Sequence, residues 1–92
     1  MIKRFRHKEL ERFFTTGDTR GINAKHASTL RLMLSSLNSA RSPTQLNVPS
    51  FKLHPLKGER KHQWSMWVSG NWRLIFEFDG EDVTNIDLID YH

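Results

Sequence analysis

From Gln63 to Tyr91 apolar and polar residues alternate in three successive runs, separated by the short turn signals Ser69-Gly70 and Asp79-Gly80. A repeat of two is that of an extended strand, whose side chains point to opposite faces in turn, so these runs specify consecutive strands joined by tight turns. Trp64, Met66 and Val68 share one side of the first run, and Trp72, Leu74, Phe76 and Phe78 one side of the second. Ile86 and Leu88 do the same in the third, opposite Asn85, Asp87 and Tyr91. A sheet patterned this way has an apolar face that must be covered and a polar face that need not be. Upstream, Phe51 and Leu53 alternate with Lys52 and His54 and read as a further strand. Alternation then places Lys52, His54, Ser65, Trp67, Arg73, Glu77 and Tyr91 together on the polar face, with the proviso that a β-bulge shifts a strand's parity by one residue.

The N-terminal half supplies the cover. Ile2 to Phe5 reads as a short opening strand, and His7 to Thr15 sets Leu10, Phe13 and Phe14 at helical spacing before Gly17 ends the turn. Asn23 is an N-cap for a second helix in which Ala27, Leu30, Leu34 and Leu37 form the apolar stripe. Asn38 to Val48, with Pro43 inside it, reads as an irregular connection. The expected fold class is α+β, with two N-terminal helices packed on a mainly antiparallel sheet in the order β-α-α-β-β-β-β, forming a single domain over residues 1–92. A chain of this length has material for one core.

Composition narrows the chemistry. There is no cysteine, which excludes disulfides, thiolate metal sites and a thiol nucleophile. His26, His54 and His62 show no metal-ligand spacing, and Gly58 and Gly70 stand outside any phosphate-cradling motif, so neither a metal nor a cofactor is expected. No long apolar run occurs, and Met1 to Arg6 alternates charge with apolar residues, which predicts a cytoplasmic protein without a membrane partner. Fourteen Lys and Arg against ten Asp and Glu give a net charge of +4, which favours a polyanionic partner.

Three stretches carry a resemblance: Met1-Ile2-Lys3-Arg4-Phe5-Arg6-His7-Lys8, the loop Lys52-Leu53-His54-Pro55-Leu56-Lys57-Gly58, and Val68-Ser69-Gly70-Asn71-Trp72-Arg73-Leu74, followed by a terminal Asp90-Tyr91-His92. In this combination the chain resembles the HigB-type toxins of the RelE/ParE superfamily, from its first residue to its last. The resemblance implies a RelE-like fold and metal-independent cleavage of mRNA in the ribosomal A site, through attack of a 2′-OH. It implies as partners the 70S ribosome with its 16S rRNA and a helix-turn-helix antitoxin of the HigA type, with operator DNA reached only through that antitoxin. The site it implies contains His54, Lys57, Arg73, Asp90, Tyr91 and His92 as catalytic residues, with Lys52, Arg60, Lys61, Trp67 and Asn71 binding RNA.

The residue types suit those roles. An imidazole titrates near working pH and serves as base or acid, a choice left open between His54 and His92. Lys57 and Arg73 are a point charge and a planar fork, both matched to a phosphate. Tyr91 and Trp67 offer surfaces on which an unstacked base can lie, and Asp90 can orient a neighbouring group. Ser69 departs from the basic residue often found there in relatives, so one phosphate contact is either missing or supplied by Arg60, Lys61 or the neighbours of Trp67. Two other classes remain: a toxin of the same superfamily that poisons DNA gyrase by binding, and a basic ribosome-binding module without chemistry. Neither needs the acid–base set.

Overall fold

A computed structural model describes residues 1–91. The helix α1, Lys8–Thr16, is opened by His7, whose Nδ1 accepts the Leu10 N–H at 3.0 Å. It is closed by Gly17 in the left-handed region (φ 80°), whose N–H returns to the Phe13 carbonyl. Asn23 caps as expected, but what it caps is a 3₁₀ turn, Ala24–His26, which leads directly into α2, Ala27–Ser39. Leu30, Met33, Leu34 and Leu37 form the buried stripe of α2 and lie against Leu10 and Phe13 of α1 in one apolar cluster.

The sheet is an antiparallel meander, β1 His54–Pro55, β2 Trp64–Ser69, β3 Trp72–Asp79 and β4 Asp82–Asp90, with strand order β1-β2-β3-β4. Its helix-facing side contributes Met66, Val68, Leu74, Phe76, Val83 and Ile86 to the cluster. This is the expected α+β arrangement of two helices on a mainly antiparallel sheet. No helix among the described residues is long and apolar enough to cross a membrane.

Three local readings are corrected. The strand expected around Phe51 and Leu53 shrinks to His54–Pro55. Pro49–Phe51 is a 3₁₀ turn, Lys52 takes a left-handed conformation (φ 48°) that redirects the chain, and Pro55 brings no N–H to a ladder. The opening strand reduces to two isolated parallel bridges, Ile2 to Val83 and Phe5 to Ile86, which cover the outer edge of β4. The third correction is a bulge in β4. Ile75 pairs with Asp87 but Glu77 pairs with Thr84, and Asn85 sits at φ 54° in the gap. Val83 and Ile86, three residues apart, therefore both reach the core. A second bulge between Trp67 and Ser69 leaves Val68 without a paired residue on β3, while alternation keeps it inward beside Met66.

Candidate active site

The side of the sheet away from the helices is built row by row. Its central row runs His54, Ser65, Ile75, Asp87 across β1 to β4. One step along lie Trp67, Arg73 and Ile89, and beyond them Asn71 receives the backbone N–H of Tyr91 at 2.7 Å. On the other side of the central row, Leu56, Gln63 and Glu77 align, with the Leu56 N–H on the Gln63 carbonyl at 2.9 Å and Gln63 paired with Glu77 through Nε2. Ile75 and Leu56 are buried yet lie outside the main apolar cluster, so this face has a small apolar floor of its own.

Cations and aromatics gather at one end. Lys52 Nζ sits 4.5 Å from the centre of the Trp67 ring, a cation–π contact that covers one face of that indole. Trp67 Nε1 donates to the Gly70 carbonyl at 2.9 Å, and Arg73 Nη1 donates to the same oxygen at 2.9 Å and to the Trp72 carbonyl at 3.2 Å. The β2–β3 turn thus anchors both an indole and a guanidinium, which fixes where the rest of the Arg73 fork lies. His54 is exposed, with Nδ1 3.3 Å from the Lys52 carbonyl and 3.3 Å from Ser65 Oγ.

Residues 3–92 match a family model described as the RelE-like toxin of the type II toxin–antitoxin system HigB. The chain is also 39% identical over 92 residues, the full length of both proteins, to "Endoribonuclease HigB" of Proteus vulgaris. The chain belongs to the HigB-like toxin family. Such a toxin is one half of a type II toxin–antitoxin pair.

Against the HigB-type set expected from the sequence, the geometry divides the residues into groups. Lys52, His54, Trp67, Asn71, Arg73 and Tyr91 lie on the open face and converge toward one end of the strands. Lys57, Arg60 and Lys61 belong to the β1–β2 loop at the opposite end. Gln63, immediately before β2, and Trp67 are four positions apart, about 13 Å at the usual strand rise. Arg60 Nη1 reaches back to Gln63 Oε1 at 3.1 Å, which ties the loop to the face through the Gln63–Glu77 pair. Asp90 pairs with Trp72 and so falls on the helix side of the sheet, not with Arg73 and Tyr91. His92 lies outside the described residues. Ser65 was on the polar face by alternation but was not among the expected site residues. Its signal was its register opposite His54, which needs the β1–β2 pairing to be known.

Proposed function

We propose that this toxin is an endoribonuclease that cuts messenger RNA held in the A site of the 70S ribosome, without a metal ion, and that a HigA-type antitoxin neutralises it. The observation that carries this reading is the exposed His54 imidazole on the same open sheet face as the turn-anchored Arg73 fork, in adjacent rows, with His54 on β1 and Arg73 on β3 to either side of β2. His54 takes the proton of a 2′-OH, and the 2′-oxygen attacks the adjacent phosphorus as the bond to the 5′-oxygen breaks. Arg73 holds the non-bridging oxygens as their charge grows. The leaving 5′-oxygen receives a proton from an acid, the role that remains for His92.

Tyr91 and Trp67 provide stacking surfaces for flanking bases. Lys57, Arg60 and Lys61 meet the RNA backbone further from the scissile phosphate. Ribosome dependence follows from the modest net charge of +4, which neutralises too few phosphates to hold free RNA tightly.

The test is 5′-end mapping of a translated reporter mRNA after brief induction of the intact toxin or of His54→Gln, with a start-codon mutant reporter as the translation control. New ends that need both translation and His54 are expected. Growth arrest without new ends overturns the nuclease reading in favour of a binding toxin such as a gyrase poison.

A further inference from the structure

Ser65 is 2% exposed, a hydroxyl at a position where a strand residue of this size is usually apolar. A buried hydroxyl is costly unless it is hydrogen-bonded, and this one meets the His54 ring, 3.3 Å from Nδ1 and 3.5 Å from Nε2. The same Nδ1 lies 3.3 Å from the carbonyl oxygen of Lys52. That carbonyl is aimed by an unusual backbone, since Lys52 is one of two described non-glycine residues with positive φ. A carbonyl oxygen can only accept, so the contact is a hydrogen bond only when Nδ1 carries the proton. In that tautomer Ser65 Oγ, which lies within reach of both ring nitrogens, can accept from the same Nδ1–H as a second acceptor. The lone pair of the neutral ring is left on Nε2 of an exposed side chain.

We propose that Ser65 is a positioning residue that, together with the Lys52 carbonyl, holds His54 as the Nδ1–H tautomer with Nε2 presented to the 2′-OH. The inference rests on the nuclease reading above, with His54 as its base. When Nε2 takes the 2′-OH proton the ring becomes an imidazolium that keeps its Nδ1–H. Two acceptors already in place stabilise that cation while the new bond from the 2′-oxygen to phosphorus forms and the bond to the 5′-oxygen breaks. Ser65 exchanges no atom in this step; its contribution is the orientation and protonation pattern of its neighbour, which is what partners of active imidazoles supply elsewhere.

Two measurements on the whole protein test it. Long-range ¹H–¹⁵N correlation spectra of free, histidine-labelled toxin, with the His54 signals assigned by their loss in His54→Gln, read the tautomer directly. The Nδ1–H form is expected in the native protein and in Ser65→Thr, which keeps the hydroxyl, and a shift toward Nε2–H is expected in Ser65→Ala. In cleavage of ribosome-bound mRNA, Ser65→Ala is expected to lose about ten- to a hundredfold in kcat with KM little changed, the scale of losing a partner that orients an active imidazole. Ser65→Thr is expected to recover most of that loss. A native His54 in the Nε2–H form overturns the proposal, as does a Ser65→Ala protein with unchanged tautomer and kcat. If the native toxin cuts no RNA, the nuclease reading falls by itself, while the spectra still decide whether Ser65 holds the ring.

Discussion

Replacing Arg73 separates its proposed work on phosphate from its work on the fold. Its Nη1 satisfies the Gly70 and Trp72 carbonyls at 2.9 and 3.2 Å, leaving the donors on Nε and Nη2 as those proposed for the scissile phosphate. In Arg73→Ala the Gly70 carbonyl keeps its bond from Trp67 Nε1, and Gly70 in the turn and Trp72 at the start of β3 are both exposed, so the fold loses about 1 kcal/mol. For a domain of this size that lowers Tm by roughly 4–8 °C. The transition state loses more. A preorganised charged donor at a developing oxyanion contributes about 2.7–4 kcal/mol, so kcat on ribosome-bound mRNA falls by about 10²–10³. Arg73→Lys restores the charge without the fork and falls between the two. The assay is single-turnover cleavage followed by primer extension at a temperature where both variants remain folded. Cleavage by Arg73→Ala within about fivefold of the native rate, with the native protein active, refutes the assignment of this guanidinium to the reacting phosphate.

Two further outcomes follow from the backbone and from the surface charges. At Asn85, φ 54° suits asparagine or glycine, so Asn85→Gly leaves the urea midpoint near that of the native protein. Asn85→Val, β-branched in the left-handed region, lowers stability by about 1–2 kcal/mol; a Val variant as stable as the native protein means the bulge lies elsewhere. The Arg20 guanidinium, hydrogen-bonded to Asp18, brings that carboxyl from the ordinary 3.8 down to about 2. A depressed folded-state value means the pair's contribution is present above about pH 4 and fades as pH drops toward 2. In Arg20→Ala the Asp18 carboxyl, followed by ¹³C NMR titration, is expected back in the usual carboxylate range, with little change in neutral-pH stability because the pair is exposed.

Much of the architecture was legible because it is written in short-range periodicity. The repeat of two in β2 and β3, the helical spacing of Leu10 with Phe13 and of Leu30 with Leu34 and Leu37, and the turns at Ser69-Gly70 and Asp79-Gly80 each depend on residues close in the chain. The same alternation set His54, Ser65, Trp67 and Arg73 on one face, as the register confirms. It failed where a single backbone angle decides the outcome. Phe51 alternates correctly with Leu53, yet the left-handed Lys52 and the adjacent Pro49 turn make that stretch a 3₁₀ turn and a bend.

The pattern of side chains alone therefore determined most of the secondary elements and the helix-covered sheet, because hydrophobic burial selects a face and a repeat selects an element, whereas the candidate residues were named by the resemblance. Which of those residues meet was decided only by tertiary structure. Register set Ser65 opposite His54 and Asp90 opposite Trp72 on the far face, while the β1–β2 loop kept Lys57 away from the end where Arg73 and Tyr91 gather. The physical reason is that register and bulges are fixed by pairing between strands distant in sequence. A one-residue shift costs nothing in local pattern, yet it sends every later side chain to the other face.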